Sequence, residues 1–230
     1  MKKIVLTACA AVLLSAFVSC GYESKKQEIG DGVFSFSAQT EDKSGEVYGI
    51  MIGEEIIVPA QYDNDFQVTD KLILAKKGGN CDLYGKDKSL LASGSPIVYN
   101  DDLKGFVAYK DSTKSLVLDN GSIISDCTEI LPVSTLDYYV IVQNDLCGIA
   151  DGQAQILVPA DYDRITVVKD QKSENYYFAA EKGKQAFLFY NGKLTKKMTS
   201  SRLNTLKRTK AAWSSEDDRV KLVEYNAKRL

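Results

Sequence analysis

Glu55-Ile56-Ile57-Val58-Pro59-Ala60-Gln61-Tyr62-Asp63 returns, almost letter for letter, as Gln155-Ile156-Leu157-Val158-Pro159-Ala160-Asp161-Tyr162-Asp163. The offset of 100 residues is three units of a period of about 33, which places the chain among tandem-repeat architectures. A three-unit offset predicts two weaker copies in between, and both can be read. Short apolar starts recur at Tyr48–Ile52, Cys81–Tyr84, Ser115–Leu118, Cys147–Ala150 and Ala186–Tyr190. Each is followed by a turn: Gly53-Glu54, Gly85-Lys86-Asp87, Asp119-Asn120-Gly121, Asp151-Gly152 and Asn191-Gly192. Asn-Gly and Asp-Gly between apolar runs are strong hairpin signals, because a type I′ turn needs positive φ at both central residues.

A second strand then pairs back at Ile56–Val58, Leu90-Leu91, Ile123-Ile124 and Ile156–Val158. After a polar loop a third strand follows, at Leu72–Ala75, Phe106–Tyr109, Tyr139–Val142 and Tyr177–Ala180. Val33-Phe34-Ser35-Phe36 closes the leading end. An isolated hairpin cannot bury its apolar face, so neighbouring units must stack over a shared core. The expected fold is therefore all-β: tandem β-meander or hairpin repeats of about 33 residues in an open solenoid-like or a propeller-like array. The repeat domain spans residues 32–194, with 195–230 a basic segment forming a degenerate last repeat. Arg219–Tyr225 reads either as a short helix capped by Ser215 and Asp218 or as a strand, and the alternation of Val220, Leu222 and Glu224 favours the strand.

The unit resembles the WG β-repeat proteins of the KWG type, in which a Trp-Gly start and a glycine turn precede an Ile-Val-x-Pro-x-x-Tyr-Asp run. The likeness is strongest at Val58–Asp63 and Val158–Asp163, each preceded by a turn and an Xaa-Gly-Ile start. There is no Trp-Gly dipeptide; Tyr48, Cys81, Ser115 and Cys147 stand in the tryptophan position. The resemblance implies a β-repeat array and transfers no catalytic residue.

Lys2 and Lys3 precede an apolar run from Ile4 to Val18 that ends at Ser19-Cys20-Gly21, the three-part plan of a secretory signal. At about 15 residues the run is shorter than the roughly 20 that a bilayer span needs. The junction resembles the lipobox of bacterial lipoproteins, in a loose form like those of the Bacteroidetes, with Phe17 where the strict form has an aliphatic residue. That resemblance implies removal of residues 1–19, acylation of Cys20, and a tether over 20–31. Membrane attachment would run through those acyl chains, on the cell envelope. The alternative is ordinary cleavage after Gly21, which releases a soluble protein.

Residues 20–192 carry 16 Lys and Arg against 27 Asp and Glu, whereas 193–230 carry 11 against 4. The basic end either folds against the acidic body or touches an anionic surface. It lacks interleaved aromatics, which argues against a stacking nucleic-acid surface. No histidine is present, so imidazole bases and imidazole metal ligands are excluded. Cys81, Cys127 and Cys147 allow at most one disulfide and are expected to pack as small hydrophobes.

No cofactor or metal is expected. Tyr62, Tyr99 and Tyr162, placed at the loops after the second strands, are the candidate contact residues for an envelope protein or a glycan, their competing role being packing at the rim of the core. Asp63 and Asp163 are repeat-equivalent and are expected to cap the same turn in two units. The sequence thus favours a non-catalytic binding or scaffold module; the alternative is a carbohydrate-active hydrolase using a pair of Asp or Glu on the β-repeat fold.

Overall fold

The computed structural model describes residues 25–40, 42, 44–94, 96–133, 137–170, 175–204 and 220–226. The chain is all-β and its described strands form five antiparallel sheets, each a meander of strands taken in chain order. The first sheet holds β1 (Lys26–Gly30), β2 (Val33–Gln39), β3 (Glu46–Ile52) and β4 (Glu55–Tyr62). The second holds β5 (Phe66–Val68), β6 (Leu72–Lys77), β7 (Asn80–Gly85) and β8 (Leu90–Gly94). The third holds β9 (Ile97–Asn100), β10 (Gly105–Lys110), β11 (Thr113–Leu118) and β12 (Ile123–Cys127). The fourth holds β13 (Glu129–Pro132), β14 (Tyr138–Gln143), β15 (Leu146–Asp151) and β16 (Ile156–Tyr162). The fifth holds β17 (Arg164–Asp170), β18 (Asn175–Lys182), β19 (Gln185–Tyr190) and β20 (Lys193–Thr199), and β21 (Val220–Asn226) pairs along the free edge of β17.

Each unit therefore has four strands where the sequence suggested three. The extra strand is β5, β9, β13 or β17, in the stretch read as a polar loop. β5 and β9 alternate but have only three and four residues, too few for period two to register; β13 has no exposed residue and β17 buries Ile165, Thr166 and Val167 in succession, so neither alternates. Two other boundaries shift. β1 begins at Lys26, inside the span read as tether, and all five of its residues are exposed, so burial left no trace in its composition. β20 runs across the boundary read at 194, while the strand read over Arg219–Tyr225 is present as β21, which extends the fifth sheet and does not begin another unit. The leader, Cys20 and the Ser215–Asp218 step lie outside the described residues.

Glycine explains the Xaa-Gly-Ile start. Tyr48 pairs with Tyr62 and Ile50 with Val58, so Pro59, Ala60 and Gln61 bulge out opposite Gly49 alone. Cys147, Ile149, Tyr162 and Val158 repeat the arrangement around Gly148. A Cβ on Gly49 would sit 2.6 Å from the Val58 carbonyl oxygen; on Gly148 it would sit 2.7 Å from both the Val158 oxygen and the Ala160 nitrogen. At Gly148 the bulged Pro-Ala segment lies directly over the glycine, and at Gly49 the Val58 oxygen and the Phe36 ring fill the space, so neither position has room for a side chain. Beyond the bulge the chain turns into the next sheet. The Asp63 N–H donates to the Lys76 carbonyl and its carboxylate accepts from Gly78 N at 2.7 Å; Asp163 does the same with Glu181 and with Gly183 N at 2.8 Å. Both acids thus tie a sheet-to-sheet corner to the following hairpin.

Core residues lie between consecutive sheets. Ile50, Val58 and Tyr62 of the first pack with Ile73 and Tyr84 of the second. Leu74 and Leu83 meet Phe106 and Val117 of the third; Leu116 and Ile124 meet Tyr139 and Ile141 of the fourth; Val140, Ile149 and Val158 meet Ile165, Phe178 and Phe189 of the fifth. The far face of the fifth sheet, at Ala179 and Ala186, is covered by Leu203 from a short helix over 200–204. Across these interfaces β4 approaches β6, β7 approaches β9, β11 and β12 approach β13 and β14, and β15 and β16 approach β17 and β18. The last two strands of one sheet meet the first two of the next.

Cys81, Cys127 and Cys147 are buried free thiols. Burial pushes the Cys127 thiol up to about 11, which makes it unreactive at neutral pH. Thr166 on β17 is 1% exposed, and its hydroxyl has no hydrogen-bond partner among the described residues. Replacing it with the near-isosteric valine removes that desolvated group. Thr166→Val is therefore expected to stabilise the protein by about 1 kcal/mol, read as a melting temperature higher by about 3 °C for a chain of this size.

Candidate binding surface

The three tyrosines singled out from the sequence occupy separate parts of the array, and the structure does not bring them together. Tyr62 ends β4 and is 2% exposed. Its hydroxyl donates to Asp82 Oδ2 at 2.5 Å, accepts from Gln61 Nε2 at 2.9 Å and lies 2.6 Å from the Tyr84 hydroxyl. Ser93 Oγ donates to the other oxygen of Asp82. Tyr162 ends β16, 9% exposed, with its ring against Phe187 and Phe189. Tyr99 lies on strand β9 and not in a loop; it is half-buried, edge-on to Phe106 at 5.1 Å, and its hydroxyl donates to Asp119 Oδ2 at 2.9 Å. All three rings pack against inter-sheet cores.

Burial sets the ionisation of these phenols. It pushes Tyr99 up to about 12, helped by the hydrogen bond to Asp119. It raises Tyr62 as well, together with the bonds to Asp82 and Tyr84, and it is the main cause for Tyr139 and Tyr162 too. A group held neutral in the fold contributes stability that is whole below its ordinary value of 10.0 and is lost as pH rises through the folded value. The melting temperature is expected to fall steadily from pH 10 towards 12, with part of the phenolate absorbance appearing only as the chain unfolds. Complete, reversible titration of every tyrosine near pH 10 in the folded protein would contradict this.

Between the second and third sheets, at the hairpin ends, lies a groove of about 490 Å³ lined by Asp70, Lys71, Lys86, Asp87, Asn120 and Ser122 among others. Two of its polar side chains, Asp87 and Asn120, are engaged in turn geometry. Asp87 accepts from the Ser89 hydroxyl at 2.5 Å and the Ser89 N–H at 3.1 Å, bonds that hold its carboxyl below the usual range. Asn120 accepts from Ser122 N at 2.8 Å and donates to the Gly152 carbonyl at 2.7 Å, bridging the third and fourth sheets. Among the described residues no group of three or more Cys, Asp or Glu is placed to hold a metal ion.

A different set of residues is repeated on the surface, and the sequence reading passed over it. Ile56, Leu90, Ile123, Ile156 and Leu194 are 39% to 54% exposed. Each stands at or next to the start of the fourth strand of its sheet, and each pairs across to an equivalent residue of the third strand: Met51, Tyr84, Val117, Ala150 and Phe189. One exposed aliphatic side chain per sheet thus recurs at one register position, a ladder in register of five rungs. The local cause is a bulge. In four of the sheets an extra residue (Ile57, Leu91, Leu157 or Thr195) follows the rung directly. That residue resets the alternation, so the rung is turned away from the inter-sheet contact made by the strand beyond it. In sequence the rung merges into an apolar run such as Ile56-Ile57-Val58. Only the recurrence of one aliphatic residue after every hairpin turn could have singled it out.

Compared with known proteins, the chain matches no family model and no curated protein.

Proposed function

We propose that this chain is a non-catalytic binding or scaffold module of the bacterial envelope, anchored by acyl chains on Cys20 and built from units of the WG type in an open, staggered stack. The observation that carries this reading is the ladder Ile56, Leu90, Ile123, Ile156 and Leu194. Single exposed aliphatics are ordinary on protein surfaces, but one at the same position of every sheet is a repeated feature that scatter does not produce. Aliphatic side chains favour a protein partner over a glycan, since sugar rings are met by aromatic faces. The carboxylates of Asp63, Asp87, Asp151 and Asp163 cap turns, work that accounts for them without chemistry.

The open stack is supported by the contact pattern. A closed propeller sets strands of equal rank side by side around an axis, whereas here third and fourth strands meet first and second. Each step then displaces the next sheet by two strand spacings, roughly 10 Å, and leaves the fourth strand overhanging, rung outward. Leu203 covering the last sheet fits the cap that a repeat array needs at its end.

A photo-crosslinking amino acid placed at position 90 or 156 in living cells tests the binding role. Crosslinked products are expected from both sites and not from exposed control positions 77 and 110; equal yields at all four would end the proposal. Fatty-acid labelling lost in Cys20→Ala tests the anchor, and equal label in both proteins would refute it.

A further inference from the structure

We infer that the ladder docks a second copy of this chain, antiparallel, about a two-fold axis through Ile123. The inference rests on the reading of the ladder as a binding surface and names its partner. A two-fold interface is isologous, so the same patch must complement itself. Five equivalent rungs do so when one copy is reversed: the first meets the fifth, the second meets the fourth, and the third meets itself.

The charges beside the rungs fit only that direction. Ile56 is flanked on the first hairpin by exposed Glu54 and Glu55. Leu194 lies on β20 with exposed Lys193 and Lys196. Asn120 and Ser122 border Ile123, and the acid of that hairpin, Asp119, is engaged within its own copy by the Tyr99 hydroxyl at 2.9 Å. The second rung has Asp87 and Lys88, opposite Gln153 and Gln155 of the fourth. Reversed docking sets the acidic first rung against the basic fifth rung twice, whereas parallel docking would set Glu against Glu and Lys against Lys, which is disfavoured. Within one copy Glu55 pairs with Lys88 at 2.6 Å, leaving Glu54 as the nearer acid for a partner.

The size is adequate. Sheets stack about 10 Å apart, so the four steps of the ladder cover at least about 40 Å, and four strands side by side span about 15–20 Å. A strip of those dimensions approaches the roughly 800 Å² per partner of a standard specific interface.

Sedimentation velocity of the full chain in mild detergent provides the test. The wild type is expected to dimerise at micromolar concentration. Ile123→Arg, which sets two like charges on the axis, is expected to weaken the dimer about a hundredfold with an unchanged circular dichroism spectrum. E54K/E55K alone and K193E/K196E alone should each weaken it, and the combined protein should recover the wild-type affinity. A monomeric wild type, an unaffected Ile123→Arg, or a combined variant no stronger than its two parents would overturn the antiparallel dimer. A monomeric wild type whose positions 90 and 156 still crosslink to another protein would refute the dimer while leaving the binding role standing.

Discussion

Gly148→Val is expected to destabilise the protein by about 3 kcal/mol, the upper range for forcing extra atoms into a packed site. The reason lies in what surrounds the missing side chain. A Cβ at Gly148 would stand 2.7 Å from the Ala160 nitrogen, 2.7 Å from the Val158 oxygen and 2.9 Å from the Ala160 Cα. All three are backbone atoms of the bulge that leads into the Tyr162–Asp163 corner, so none can rotate away as a side-chain tip would. Relief requires lifting Pro159 and Ala160 off β15, which breaks the Cys147–Tyr162 pairing and draws the Tyr162 ring from the core it shares with Phe189. Gly79→Ala is the matched control, since nothing lies within 4 Å of the added atom there. For a chain of this length a melting temperature lower by about 6–12 °C is expected for Gly148→Val and almost none for Gly79→Ala. Equal shifts would mean that the bulge does not require the glycine.

That glycine was legible in the sequence only as part of a pattern. The near-identity of 55–63 with 155–163 gave the period, and the apolar starts with their turns gave the second, third and fourth strands of the first four sheets and the second and third of the fifth; β20, whose Lys193, Lys196 and Lys197 hide its pattern, was not read. What else escaped was short or non-local. β5 has three residues, Phe66, Gln67 and Val68, and alternates half-buried with exposed, too little for any periodicity. The pairing of β21 with β17 joins residues about 60 apart, for instance Ile165 with Tyr225, and no local signal announces it. Asn191 and Gly192 both take positive φ, as a type I′ turn requires, whereas in the hairpin after β15 it is Ala154 that does so, and Gly152 serves instead to admit Asp137.

The surface was harder to read than the fold. Tyr62 and Tyr162 follow a proline and a polar residue, which suggests a solvent-facing turn. The bulge opposite Gly49 and Gly148 swings each ring back under the sheet. A second bulge, at Ile57 and Leu157 near the start of the strand, turns Ile56 and Ile156 outward. An alternation rule applied to an unbulged strand misplaces both ends of the segment, burying the rung and exposing the ring. The residues that carry the proposed contact and those that carry the core were thus exchanged by a register slip that the amino-acid types do not declare.

Phe178→Ala is expected to cost about 3–5 kcal/mol and to act unevenly along the chain. Phe178 on β18 is 1% exposed and fills the core between the fourth and fifth sheets, edge-on to Tyr138 at 5.5 Å. In the open stack proposed above, where each unit touches only its neighbours, stability is close to a sum of units and nearest-neighbour interfaces. A cavity at the last interface should therefore release the fifth sheet first. Native-state hydrogen exchange is expected to show β18 and β19 losing protection in Phe178→Ala while β6 and β7 keep wild-type rates. Phe106→Ala, an equal loss of volume between the second and third sheets, should instead divide the array in its middle. A closed ring would respond differently, because its last sheet would rest on the first as well and would hold when one side was hollowed. Uniform loss of protection across all five sheets in both variants would therefore count against the open stack.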